Sequence, residues 1–584
     1  MQHFKDTKKN SEIDILSENS EKLTSSLAGV MNKFQLKRQF VIFDCVKSKG
    51  FAVSSLLSIL VILPFLGFAS IHSLVKTGLC KIDFVGKKDA LYDIKNNPVI
   101  NWRKLLFLHV KRFIYLINHN VNLKSTEKTA FIFDDTILEK TGKKIEKSGY
   151  VHNHTSNGAV FILGFKLLVC GFWDGKSFIP IDFSLHREKG NKTKRIKLTN
   201  AFKQARKAAE KQANNVQKAH SKLHKQCKRL IDKSSKFENK KNKTNKKAYE
   251  HCEKRYEIIK LEVANAEALL TDKLSEVETA KKKIKHFYNT TKIYGLSKKE
   301  REQQYKKVVD VSSPGATRRK EADKDKINIM LKMLCRAVKR GIIPDYVLID
   351  SWFFCFELLD KLAQLKNGSI KLISMVKINN QIFTLCDTDK QMSVKNILAT
   401  KKRKPTKCKK MKAKYIKVVC KYKGIRVNLF FVKMGKSKNW HLLITTDLNL
   451  TFIQLMEFYQ IRWSIEVFFK EAKQYLNLGG CQSNCFDAQI ADITLSMIQY
   501  IMLIFFKRVN YQQSISGLFK DISDELVMLD LVTRLLEIFW ELLEFLCEYA
   551  GVNFLELQRD AMRNEKFLSK FITLYPEKVL EKTA

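Results

Sequence analysis

Three acidic positions in this sequence have the residue types and the settings to do metal chemistry. Asp134 and Asp135 end the apolar run AFIFDD at 130–135, Asp350 ends YVLID at 346–350, and Glu466 lies within MEFYQIRWSIEVFFKEAKQYL. Carboxylates at the carboxyl ends of buried strands meet at one edge of a sheet. Two Asp and a Glu on a helix packed there can hold two Mg²⁺ ions about 3.5–4 Å apart. Such a pair activates water or a 3′-hydroxyl and stabilises the leaving oxygen of a phosphodiester. An all-carboxylate donor set suits Mg²⁺, or Mn²⁺ in its place, and not zinc. A strand-ending Asp is also an ordinary turn former or helix cap, so the acids alone leave both readings open.

The residues around Glu466 narrow the choice. Tyr459, Arg462, Glu466 and Lys473 are spaced +3, +4 and +7. On one continuous helix at ~100° per residue they fall within about 60° of each other. Ile461, Ile465, Phe468 and Phe469 lie largely away from that face. A solvated face with an Arg–Glu pair worth ~0.3–0.5 kcal/mol is the plain reading. A metal ligand flanked by phosphate-binding side chains is the functional one.

Tyr459-x2-Arg462-x3-Glu466-x6-Lys473 resembles the YREK signature of the DDE transposases of bacterial cut-and-paste insertion sequences. Asp134-Asp135-Thr136-Ile137-Leu138 resembles that family's D-x-T-x-L first-aspartate motif. Tyr346–Asp350 followed by Ser351-Trp352-Phe353 resembles its second. The similarity spans roughly 130–185 and 340–475. It implies an α/β fold with a ribonuclease H-like mixed sheet core and a β-rich insertion between the second Asp and the Glu. It implies Asp134, Asp350 and Glu466 as catalytic metal ligands for two Mg²⁺ ions. Strand alternation lets only one of the Asp doublet ligate; the motif selects Asp134, with Asp135 as the alternative. Arg462 and Lys473 would hold phosphates of the transposon end, and Tyr459 would hydrogen-bond the same backbone. Trp440, in WHLLITT, looks like a Trp found before the final helices in some relatives. It would stack on an extruded base, or else be an ordinary strand core residue. Arg187, ending a strand near the same sheet edge, is a further candidate phosphate contact.

The elements that must position these groups follow from patterning. Residues 28–125 read as helical. At 130 the period changes: 130–135 and 159–172 are strands, Trp173–Lys176 a turn, and 178–185 a third strand. Residues 186–300 hold 33 Lys and Arg against 13 acids, and two long Pro- and Gly-free stretches, about 197–234 and 246–290, read as a helical hairpin turning near 240–245. It is either a solvated arm or a DNA-contacting one. Residues 370–446 form a block of strands, 450–510 are helical, and 515–584 form an amphipathic helical tail. The resulting division is a helical DNA-binding region at 1–128, a catalytic domain at 129–480 with inserts at 186–300 and 370–446, and a helical region at 481–584.

Composition bounds the partners. There are 106 Lys+Arg against 59 Asp+Glu, a net charge of +47, which calls for a polyanion: nucleic acid or an anionic membrane surface. Thirteen cysteines, most of them single, suit a reducing cytosol. The run Gly50–Val75 carries no charged residue and is long enough to span a bilayer. Pro64 and five serines argue instead for a buried pair of helices, and residues 1–20 do not resemble a signal peptide. Cys481-x3-Cys485 lacks a second pair for zinc, and His152 and His154 read as solvated in a polar turn. The expectation is a cytoplasmic, nucleoid-associated transposase with no membrane partner. It would bind inverted-repeat ends and target DNA as a homodimer, cleaving and joining strands. The rival is a catalytically inactive, nucleic-acid-binding relative.

Overall fold

The computed structural model describes residues 27–46, 50–65, 68, 70–76, 88–153, 160–188, 190–290, 293–435, 437, 439–509, 514, 515, 517–520, 546, 547 and 553. His154, residues 1–25 and most of the expected helical tail lie outside them. Two compact units make up the chain: residues 1–148, 163–187 and 304–584, and residues 149–162 and 188–303.

In the first unit, helix α1 (Val53–Ile62) is apolar on all sides and α2 (Trp102–Asn118) is amphipathic. The Asn101 side chain caps α2 by accepting from the Lys104 N–H at 2.9 Å. Pro64 stops α1. A proline has no N–H to give to Leu60 O, and Gln499 Nε2 donates to that carbonyl at 3.2 Å and to Val61 O at 2.8 Å. The uncharged run is thus a buried helix, a break near Pro64 and a second helix, Ile71–Lys76.

Strand β1 (Ala130–Glu139) follows, then β2 (Gly149–His152) in the second unit, β3 (Phe161–Trp173) and β4 (Phe178–His186). After the second unit, Pro314 at the first helical position and the Ser313 cap start α5 (Pro314–Ala322). Asp325 caps α6 (Lys326–Lys339), which runs into β5 (Tyr346–Ile349). The strands β6 (Lys371–Val376), β7 (Ile382–Leu385), β8 (Gln391–Ser393), β9 (Thr406–Cys408), β10 (Ala413–Tyr422), β11 (Ile425–Met434) and β12 (His441–Thr445) come next. Helices α7 (Phe452–Gln460), α8 (Ser464–Tyr475) and α9 (Phe486–Val509) close the unit.

The sheet runs β2-β3-β1-β5-β6-β12-β11-β10-β7-β8, with β4 also pairing with β3 and β9 with β10. β4, β3 and β1 are antiparallel neighbours, while β1, β5 and β6 are parallel. A mixed sheet in that order, with helices around it, is consistent with a ribonuclease H-like transposase. The 370–446 strands are not a module apart. β6 is buried as the parallel neighbour of β5, and β12 pairs antiparallel with it, so the remaining strands widen the same sheet. The N-terminal helices share this core too: Phe34, Leu57 and Phe113 belong to one hydrophobic cluster with Phe133, Ile349 and Phe468. Among the described residues one helix, α9, is long and apolar enough to cross a membrane, and 94% of its most apolar window is buried inside the protein.

The second unit is dominated by α3 (Lys192–Asn239) and α4 (Lys243–Thr290), antiparallel helices of 48 residues joined at 240–242. Ala209, Val216, Cys252 and Val263 form a thin buried seam. Gln212 donates to Ala266 O at 3.0 Å and Gln226 to Cys252 O at 3.2 Å, which fixes the register across it. His152 is half-buried in β2 and meets Phe161 edge to face, so it is not the solvated turn residue expected. Its chain segment pairs as a strand instead of turning.

Candidate active site

The register of β1 on β5 is set at their start. Thr129 donates from its N–H and its hydroxyl to Asp345 Oδ2, both at 2.9 Å, and Asp345 N–H returns a bond to the Thr129 hydroxyl at 3.1 Å. From there Ala130 faces Tyr346 and Phe133 faces Ile349. One step past the last paired residues, Asp134 continues β1 and Asp350 directly follows the end of β5. The doublet does not end its strand as expected. β3 is long enough to pair with β1 through Glu139, so Asp134 lies mid-strand where β5 gives out.

Alternation separates the doublet. Asp135 makes a short ion pair with Lys326 at the start of α6. Asp134 turns to the other face and accepts from Arg462 Nη1 at 3.1 Å. The same guanidinium donates from Nη2 to Glu466 Oε1 at 2.7 Å. One arginine therefore bridges an acid on β1 and an acid on α8 that lie 332 residues apart in the chain. Tyr459 stands in the electrostatic reach of both Arg462 and Asp350, and burial pushes its hydroxyl up to about 12.

Tyr459, Arg462, Glu466 and Lys473 do not share one continuous helix. Thr451 and Gln454 form a capping box at the start of α7, which ends at Gln460. Ile461–Trp463 is a tighter 3-10 turn carrying Arg462, and α8 then carries Glu466 and Lys473. Lys473 reaches back to β1, donating to Thr136 Oγ1 at 2.7 Å and Ile137 O at 3.0 Å. Burial pulls its ammonium below the usual lysine range.

Burial pushes the Asp134 carboxyl up to about 7; the Asp135 N–H and Arg462 oppose that shift, and Asp135 and Glu466 add to it. One guanidinium serves Asp134 and Glu466 together, which leaves more negative than positive charge at the group, the setting in which a divalent cation is favoured. The donors of Asp134, Asp350 and Glu466 are all oxygen, the set that hard cations take. Among the described residues no three His, Cys, Asp or Glu side chains stand close enough to hold a metal in this arrangement. Arg462 lies between two of the three acids.

Two other candidates lie away from the three acids' own contacts: Arg187 follows the end of a strand as expected, and Trp440 takes the core-packed alternative. Arg187 donates from Nε to Asp323 Oδ1 at 2.5 Å, and is held at the end of β4. Trp440 is half-buried and packs against the core at the start of β12. Among the described residues the exposed indoles are Trp352, 63% exposed two residues after Asp350, and Trp463, 61% exposed beside Arg462. The Lys377 ammonium lies 3.7 Å from the Trp352 ring centroid. Their sequence signal is a tryptophan close to a motif residue: two positions after Asp350, and next to Arg462. A cavity of about 590 Å³ opens beside this loop, lined in part by Ser351, Lys377, Asn379 and Asn380.

Residues 307–502 match the family model described as the transposase DDE domain. The match covers about a third of the chain, contains Asp350, Tyr459, Arg462, Glu466 and Lys473, and begins after Asp134. That segment is similar to the DDE domain of transposases, enzymes that generally use divalent metal ions. No curated protein matches the chain.

Proposed function

We propose that the protein is a metal-dependent transposase of the cut-and-paste type, with Asp134, Asp350 and Glu466 as its metal ligands. The observation that supports this reading is the Arg462 bridge between Asp134 and Glu466, together with the parallel pairing of β1 and β5 that runs up to the residues before Asp134 and Asp350. Mg²⁺, or Mn²⁺ in its stead, would supply Lewis-acid activation of water or a 3′-hydroxyl and charge at the leaving oxygen. The chain's own residues do the rest. Asp134 would hold the ion through its carboxylate form. Arg462 offers a guanidinium with five donors, two of them now on carboxylates, to a phosphate of the transposon end. Lys473 adds a second cation on the same side of β1, and Tyr459 a hydroxyl. Trp440 would contribute through the core, and Arg187 would meet phosphate only by leaving Asp323. Two copies acting on paired inverted-repeat ends would bring both cleavages together before joining to target DNA.

The test is a cleavage assay on linear duplexes carrying the DNA that flanks the reading frame. With Mg²⁺ or Mn²⁺ the protein should release element ends bearing 3′-hydroxyls and join them to a target plasmid; with chelator it should do neither. Absence of metal-dependent nicking on any flanking sequence refutes the reading.

A further inference from the structure

A second cavity, of about 210 Å³, lies in the first unit between the start of α2 and the start of α5. Trp102, Arg103, Arg318 and Arg340 are among its lining residues. Trp102 is 3% exposed and Arg318 5% exposed. Trp102 Nε1 and Arg318 Nη2 are buried and have no hydrogen-bond partner among the described residues. Both atoms can only donate. A buried donor left unpaired is destabilising, and two lining one cavity call for one acceptor.

The charges around them point the same way. Arg103 donates to Asp182 at 2.9 Å and to Glu321 at 2.7 Å, and Arg336 donates to Asp182 at 2.7 Å. Arg318 donates to Phe183 O and lies over the Phe183 ring at 4.4 Å. Arg340 lies over the Phe107 ring at 4.0 Å. Arg103, Arg318 and Arg336 thus share the two carboxylates of Asp182 and Glu321, with the Arg340 guanidinium nearby on the cavity wall. Asp487 also lines the cavity, but both its oxygens accept from Arg319, each at 2.8 Å. Burial, and then the nearby Arg103 charge, pull Arg318 down to about 9. The amino end of α5 adds its partial positive charge to the same rim.

We propose that this cavity is an oxyanion site of the phosphate class, in which Trp102 Nε1 and Arg318 Nη2 donate to the bound oxygens. The cavity is several times the ~30 Å³ that one water occupies, so a tetrahedral anion fits. The site is separate from the three acids and does not depend on the transposase reading. Its oxyanion is either a backbone phosphate of DNA or a free phosphate.

The experiment measures thermal stability of the full-length protein against inorganic phosphate, with chloride holding ionic strength constant. Phosphate should raise the melting temperature saturably. Trp102→Phe keeps the ring and removes the donor; it should weaken the apparent affinity at least about tenfold, the usual cost of a lost hydrogen bond to a charged group. Arg340→Gln, at a half-buried position, should weaken it as well and covers the case in which the Trp102 variant does not fold. A short duplex that competes with phosphate identifies the backbone as the source, and one that does not identifies free phosphate. No stabilisation beyond equal chloride, or an unchanged affinity in both variants, overturns the proposal and leaves the cavity to water.

Discussion

Arg462 holds Asp134 and Glu466 with one side chain that is itself largely buried. Removing it leaves two acids facing each other in a partly buried setting. Arg462→Ala should therefore destabilise the protein in chelator by roughly 1–3 kcal/mol, measured by urea unfolding. If the acids bind a divalent cation, Mg²⁺ should recover more stability in the variant than in the wild type, because the ion takes over the role of the guanidinium. Equal Mg²⁺ responses would separate Arg462 from any metal site. At this scale the sequence is partly legible. Glu466, Arg462 and Lys473 carry an informative spacing, and alternation alone allows one ligand from the Asp doublet. The Asp135–Lys326 pair is not legible, because it joins residues 191 apart through tertiary packing.

The elements show where patterning stops. Runs of apolar residues mark β1, β3, β4 and β5, and Pro64 marks the helix break, because each is a local signal. The extent of β1 is not local: β3 holds it to Glu139. Gly164 pairs opposite Glu139, and an added Cβ would stand 2.0 Å from Leu138 O. Gly164→Ala should force β3 away from the strand that carries Asp134 and cost about 1–3 kcal/mol, read by chemical unfolding. An unchanged midpoint would mean the pair has slack. The 3-10 turn at Ile461–Trp463 is likewise hidden, since 3-10 and α spacing differ too little over three residues to show in sequence. In α2, His109 is fully buried and stacked on Phe34 at 4.5 Å, and neither ring nitrogen has a partner among the described residues. Burial pulls its imidazole down to about 3. The native state keeps it neutral between pH ~6.5 and 3 while the unfolded chain takes up a proton. Stability should fall as pH falls through that window, by up to about 1.4 kcal/mol per unit from this group. His109→Phe should flatten the slope; an unchanged slope would assign the acid sensitivity to other groups.

For the whole molecule, the charge of +47 and the basic hairpin of the second unit are plain from composition, since charge counts need no fold. Its long helices have only a thin apolar seam, and Lys281, Lys282, Lys283 and Lys285 are exposed on α4. Replacing these four by Gln should weaken binding to all duplexes and flatten the slope of log K against log salt by about 0.9 for each phosphate no longer neutralised. No change in slope would make the hairpin a solvated or self-associating arm. That the N-terminal helices and the 370–446 strands join one core is not visible in the sequence, because nothing in a local pattern says which faces will meet. The central claim is that the three acids do phosphodiester chemistry while other groups hold DNA. It is tested most directly by measuring end cleavage and end binding side by side for Glu466→Gln, in Mg²⁺, on duplexes carrying the flanking sequence. Cleavage should fall by at least about a thousandfold, with the dissociation constant changed by less than about threefold, since a ligand is removed and the groups that hold phosphate remain. Cleavage at the wild-type rate would contradict the claim.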